Sequence, residues 1–298
     1  MKSRTRVSKK NRVGFTEEHL TLLLIYCAAT KENPKTPITV LHKNISPYSR
    51  KKSTADLIDK AYKREVITGP ELFVNSGIEV SLIRDIKNPR KFFSNCKEDK
   101  RTTMALALHG YWSIFWCKRG ASTLQHYDSV LPTSSLVSKK SRKLCHEIKG
   151  KLSTDPYPNG WCDTHWKIYC SMKFPREKTF RDVGKELEFS WVTARKYFLE
   201  VLQQSKVIIN FFPLGLEAYS PLFVTFKTDY EIGISKGLKN LDRTTYLYKA
   251  DNTVMLLLCI GPEPRSQNHF TEKFVELEET GLISDLHIST PFDWYKAF

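Results

Sequence analysis

Cys162-Asp-Thr-His165, with Cys170 after four intervening residues, is the one stretch where thiols and an imidazole fall near metal-ligand spacing. Two thiolates and a ring nitrogen would give zinc three of the four ligands of a closed tetrahedral site. No second CxxC or HxxxH supplies the fourth, and the cluster lies within a segment of helical period, so no metal site is assigned. The chain has no Gly-rich phosphate loop, no HExxH, no GxSxG and no framed pair of carboxylates. No catalytic residue and no cofactor is therefore assigned, and the expectation is a protein that is not an enzyme. What remains chemically conspicuous is cationic. The tail carries Lys2, Arg4, Arg6, Lys9, Lys10 and Arg12 with no acidic residue among them. A second run, Lys139, Lys140, Arg142, Lys143, Lys149 and Lys151, makes the middle of the chain basic.

The whole composition agrees with these runs. The 298 residues carry a formal charge of +15, with a pI near 9.4. Such a surplus of Lys and Arg favours polyanions, nucleic acid ahead of an anionic membrane. The longest apolar runs, residues 20–29 and 254–260, fall short of the roughly 20 residues that span a bilayer, so no membrane association is expected. The N-terminal stretch runs into the polar FTEEH and reads as neither secretory signal nor anchor. Seven scattered cysteines suggest no disulfide framework, and a cytoplasmic location is expected.

The elements that position these residues come in two copies. RTTMALALHGYWSIFWC (101–117) and RTTYLYKADNTVMLLLC (243–259) share a gapless frame from Arg-Thr-Thr to Cys, at an offset of 142. In the second half, WCDTHWKIYCSM reads as a helix, and TFRDVGKEL as a short helix with Phe180, Val183 and Leu187 on one face. A tight turn at Glu188-Phe189 leads to Ser190 as N-cap of a longer helix with Ala194, Phe198, Val201 and Leu202 in a stripe. That is a helix-turn-helix order. The first half repeats it with Ile38, Leu41 and Ile45, then Ser49 as N-cap before Leu57, Ile58 and Ala61. After the second helix-turn-helix, VIINFFPLG and PLFVTFKT predict a wing hairpin and the entry to a βαββαβ unit of ferredoxin-like order. The first copy reads the same up to its last strand, where a basic helix and a Pro-rich linker stand instead.

The fold class expected is therefore α+β: two winged helix-turn-helix domains alternating with two ferredoxin-like domains, the first truncated. The boundaries are a basic tail (1–14), helix-turn-helix 1 (15–77), ferredoxin-like domain 1 (78–132), linker (133–160), helix-turn-helix 2 (161–219) and ferredoxin-like domain 2 (220–298).

This order resembles the Lrp/AsnC family of prokaryotic and archaeal regulators. DTHWKIYCSM, FRDVGKELEFSWVTARKYFLEVLQQSKVI and FFPLGLEAYSPLFVTFKT carry the resemblance over 160–298, and the repeat extends it to 15–130. It implies a DNA-binding transcriptional regulator with double-stranded DNA as partner and a small-molecule effector of unknown identity. A usual member has one such unit and dimerises; here the second is covalently attached, implying an intramolecular pseudo-dimer, with a further homodimer left open. The family's Gly-rich loops are poorly represented, so no ligand-binding residue is carried over. Siroheme decarboxylases resemble the same architecture, and their use of His and Arg on an anionic tetrapyrrole would fall here to His109, His126, His269 and His287. A non-specific architectural nucleic-acid binder is a further alternative.

In the regulator reading the N-terminal turns of the third helices enter the major groove. They present Arg50, Lys51, Lys52, Ser53 and Thr54 in one copy and Ser190, Trp191, Thr193, Arg195 and Lys196 in the other. Arg4, Arg6, Lys9, Lys10 and Arg12 would add phosphate contacts. Tyr111, Trp112, Phe115 and Trp116 are expected in core or inter-unit packing ahead of base stacking.

Overall fold

The computed structural model describes residues 11, 13–135, 143–263 and 266–297. Arg4, Arg6, Lys9, Lys10 and Arg12 lie outside the described residues, as do Lys139, Lys140 and Arg142. The fold is mixed α+β with antiparallel sheets.

Each half opens with a trio of helices. The first has α1 (Glu17–Glu32), α2 (Ile38–Ile45) and α3 (Lys51–Lys63). After β1 (Ile67–Phe73), β2 (Ile78–Ile83), α4 (Pro89–Glu98), β3 (Thr102–Gly110), β4 (Ile114–Arg119) and β5 (Leu124–Val130), the second trio is α5 (Asp163–Ser171), α6 (Phe180–Glu186) and α7 (Trp191–Gln203). β6 (Lys206–Phe211), β7 (Ser220–Lys227), α8 (Glu231–Leu238), β8 (Thr245–Ala250), β9 (Thr253–Ile260), α9 (Ser266–Glu279) and β10 (Ser284–Lys296) complete the chain. The helix starts have local causes. Thr179 caps α6 reciprocally with Asp182, and Ser190 accepts the Thr193 N–H at 3.0 Å at the start of α7. α3 begins one residue later than Ser49 suggests, with Arg50 at the N-cap.

The expected wing hairpin is corrected. β6 and β7 belong to different sheets, because β6 pairs antiparallel with β1 of the other half, Ile67 opposite Phe211. Equivalent strands from the two halves meet about a pseudo-two-fold axis, as in an isologous dimer interface. The ribbon's side chains then divide. Leu72 of β1 enters the core of the second helix trio with Ile168, Val183, Phe198 and Val201. Ile209 and Phe211 of β6 enter the core of the first with Leu23, Tyr26, Leu57 and Ile58. Ile208 joins the interior of the large sheet.

That sheet has the order β2-β4-β3-β10-β7-β9-β8-β5. Within it the second half forms β10-β7-β9-β8, and β10 pairs with β3 of the first half while β5 pairs with β8 of the second. Last strand on second strand thus occurs twice, once in each direction. The end strands are drawn together: Val80 N–H donates to Thr123 Oγ1 at 2.8 Å, and buried Asn75 donates from Nδ2 to the carbonyls of Leu124 (2.8 Å) and Asp155 (3.0 Å). One face of the rolled sheet encloses Leu106, Phe115, Tyr127, Phe223, Tyr248 and Met255 from both halves.

The first half therefore keeps its last strand, β5, contrary to the sequence reading; the element it lacks is the helix between β4 and β5. The outer face of β2 is correspondingly polar, with Glu79 paired to Lys118 at 3.4 Å. Residues 143–160, expected to include helix, run as an extended strap. The strap's backbone lies directly on α8, where a Cβ at Gly233 or Gly237 would collide with the carbonyls of His146 and Leu144. Leu144 and Cys145 fill the core beneath α8 and α9. Buried Glu231 fixes the strap, accepting the Leu152 N–H at 2.7 Å and pairing with Lys249 at 2.8 Å.

Leu72→Ala removes a buried side chain that joins one half's ribbon strand to the other half's helices. It should cost about 2–5 kcal/mol in urea denaturation, within a single transition of unchanged slope.

Candidate functional site: a cation-lined cleft on one side of the pseudo-two-fold

The ribbon strand β1, the mouth of the rolled sheet and helix α5 enclose an open cleft of about 650 Å³, within the range of small-molecule and cofactor sites. α5 is aimed at it because Ile168 packs inward and leaves Trp166, Tyr169 and Cys170 on the cleft side. Tyr127 and Tyr248 line the sheet side, stacked with centroids 4.7 Å apart, and Phe73 of β1 meets Tyr127 edge-on. Burial is the first cause that raises the phenols of Tyr127, Tyr248 and Tyr169 above their ordinary value, so they stay protonated as donors.

The charged lining is Lys100, Arg119, Lys173, Lys296 and Glu71. Glu71 pairs with Lys173 at 3.3 Å and lies in close contact with the Lys296 ammonium. Lys100 and Arg119 have no ion pair among the described residues. Three of the four positive charges are thus uncompensated, in a cleft whose apolar walls strengthen attraction for anions.

The equivalent place in the second half is closed. Phe212, Tyr219 and Cys259 form a buried cluster there with Leu214, Leu216 and Tyr246. Phe212 stands where the first half has Glu71, Tyr246 where it has Met104, and Gly261 where it has Arg119. Among the described residues this cationic lining therefore has no counterpart in the second half. Sequence reasoning missed it, although these mismatches between the copies were its available signal.

The residues singled out from sequence lie elsewhere. Arg50, Lys51 and Lys52 are exposed and Ser53 half-buried at the start of α3. Thr54 is turned inward, bonded to His42 Nδ1 (2.8 Å) and Ser46 Oγ (2.6 Å), which removes it from the groove-facing set. On α7, Trp191, Arg195 and Lys196 are exposed, Trp191 at 51%, while the hydroxyls of Ser190 and Thr193 share a 2.8 Å hydrogen bond. None of the four histidines lines the cleft. His109 stacks on Phe292, and His287 stacks on Tyr111 and meets Asp285 at 3.0 Å. His126 bonds Ser153 O at 2.8 Å, and His269 lies on α9. The aromatic set does not share a face: Phe115 is in the sheet interior, while the indoles of Trp112 and Trp116 donate to Thr225 and Thr102. Cys170 lines the cleft apart from the Cys162–His165 pair, and among the described residues no cluster of three or more His, Cys, Asp or Glu could hold a metal ion. No helix of the described residues is long and apolar enough to cross a membrane.

No protein-family model matches the chain, and a search of curated proteins finds no match. Two solved chains are similar in structure. One is the siroheme decarboxylase NirDL, with 9% identity, a TM-score of 0.48, and coverage of 94% of this chain and 92% of that one. The other is NirDL in co-complex with an iron-uroporphyrin III analogue, with 8% identity, a TM-score of 0.45, and coverage of 87% and 86%. Against the expectation that this chain is not an enzyme, both solved chains are of an enzyme. At this identity no residue's role is carried over from them.

Thr54→Val leaves the exposed charges of α3 in place but strips His42 and Ser46 of a buried partner. It should lower stability by about 1–3 kcal/mol, measured by urea denaturation.

Proposed function

We propose that the chain is a single-chain pseudo-dimer of Lrp/AsnC type, with helix-turn-helix and ferredoxin-like units, whose open cleft binds a polycarboxylate of the tetrapyrrole class and removes carboxyl groups from it. The observation that carries this reading is the cleft's combination of flat aromatic walls with Lys100, Arg119, Lys173 and Lys296 around one already paired carboxylate. A planar ligand with carboxylates on its rim satisfies both features at once: its face lies against Tyr and Trp rings, and its anions meet the cations. Loss of a carboxyl as CO2 leaves a carbanion that must take up a proton. The raised phenols of Tyr127, Tyr169 and Tyr248 remain protonated beside the cations and fit that role. Arg119 can grip a carboxylate with two parallel N–H bonds, whereas the lysines act as point charges.

Titration with iron-uroporphyrin III, followed by absorbance, should saturate at one equivalent per chain and weaken as salt is raised. Arg119→Ala and Lys173→Ala should each weaken binding by roughly tenfold or more, the usual worth of a charge-assisted hydrogen bond. Mass spectrometry of the bound macrocycle should then show loss of CO2. An unsaturable titration, or wild-type affinity in both variants, would overturn the reading.

Duplex DNA is the second reading. What favours it is that both third helices start with exposed cations, Arg50, Lys51 and Lys52 on α3 and Arg195 and Lys196 on α7. Charge reversal at Arg50, Lys51, Arg195 and Lys196 should abolish duplex binding in fluorescence anisotropy and leave the macrocycle titration unchanged.

A further inference from the structure

Cys162, His165 and Glu200 form a connected chain at the outer end of α5, with Glu200 contributed by α7. Cys162 Sγ lies 3.2 Å from His165 Nδ1. His165 Nε2 lies 2.9 Å from Glu200 Oε2. The backbone N–H of Cys162 also donates to Nδ1, at 3.1 Å. Nδ1 is therefore the acceptor, and Nε2 carries the proton given to Glu200. That tautomer leaves the Nδ1 lone pair able to take the thiol's proton as the Cys162 N–H releases it, with Glu200 stabilising the imidazolium that results. Trp161 stacks on the imidazole at 12° and Tyr197 meets it edge-on, which fixes the ring plane.

Helix capping alone does not require this chemistry. The equivalent start of α1 uses Thr16 with His19 in the same reciprocal arrangement, so a hydroxyl suffices there. At α5 a thiol replaces it, exposed to solvent, and a carboxylate from a second helix stands behind the imidazole.

We infer that Cys162 is a nucleophilic thiol, with His165 as its base and Glu200 as the residue positioning that base, and that it is a modification site for small hydroperoxides. The thiol proton passes to His165 Nδ1. The thiolate attacks one peroxide oxygen, the O–O bond breaks, and the departing oxygen takes the proton back from the imidazolium. Sulfur is oxidised to the sulfenic acid and the hydroperoxide is reduced to an alcohol or water, so the atoms and electrons balance. The thiolate also faces the backbone N–H groups of His165 and Thr164 at the helix N-terminus. These, the His165 N–H first, hold the thiol down to about 7. The charged groups facing it are His165 on its own helix, with Asp163 next in sequence, and Glu200 across on α7.

The test uses the full chain and iodoacetamide from pH 5 to 10, with each cysteine peptide quantified by mass spectrometry. Alkylation of Cys162 should be half-maximal near pH 7. In His165→Gln, which keeps an acceptor for the cap, the midpoint should rise by about one unit or more, toward the ordinary thiol value of about 8.5. Glu200→Gln should move it the same way by less. At pH 7 the wild-type thiol should react about threefold faster than in His165→Gln, because the gain in thiolate is partly offset by its lower intrinsic nucleophilicity. Hydrogen peroxide followed by dimedone should label Cys162 in the wild type and not in Cys162→Ser. Far-UV circular dichroism checks that each variant is folded, and Glu200→Gln carries the test if His165→Gln is not. A wild-type midpoint at the ordinary thiol value, or a midpoint unmoved in the folded variants, would overturn the inference, as would absence of dimedone label.

Discussion

Two short strands, β1 and β6, hold the two halves of this chain in one structure. Their antiparallel pairing satisfies backbone groups that neither half satisfies by itself. Because side chains alternate along a strand, the ribbon serves several cores at once. Leu72 of β1 goes to the second helix trio, Ile209 and Phe211 of β6 to the first, and Ile208 to the large sheet. A displaced register would exchange these destinations, burying polar residues and exposing apolar ones. The larger sheet reinforces the arrangement through its exchanged pairs, β10 on β3 and β5 on β8.

Symmetry of backbone has not meant symmetry of chemistry. On one side of the axis Glu71 neutralises part of a cationic cleft, while on the other Phe212 fills the corresponding space. The first copy also lacks a helix, and the strap over α8 uses the intervening chain for packing that a helix hairpin would not provide. Glu231 ties that strap down at a buried position where an unpaired carboxylate would be costly.

The repeat itself, the helix trios and most strands were legible because they rest on local period and capping: Phe180, Val183 and Leu187 on one face, Ser190 before α7, the Asp251 turn between β8 and β9. Strand partners were not legible, since VIINFF has the same alternation whether it pairs with its own neighbour or with a strand 140 residues away. β5 was misread for a related reason: STLQHYDSVL carries His126 and Asp128 outward into polar contacts with Ser153 and Lys31, which obscures the apolar alternation of a strand. The cleft was invisible because its wall joins residue 71 to residues 119, 173 and 296, distant in sequence and without a local motif. Thr54 shows the limit of motif reasoning within a helix, for its position suggested a groove contact and its hydroxyl bonds inward.

The covalent join between halves changes how the assembly responds to dilution. In a two-chain assembly, the fraction paired falls as protomers become scarce, and stability depends on concentration. Here the partner surface is always carried on the same molecule, so its effective concentration is set by the connection and not by expression level. A few copies in a cell would be as fully assembled as many. The unlike surfaces of the two halves would also always occur together in a one-to-one ratio, with no homotypic pairing of either half needed to bring them there.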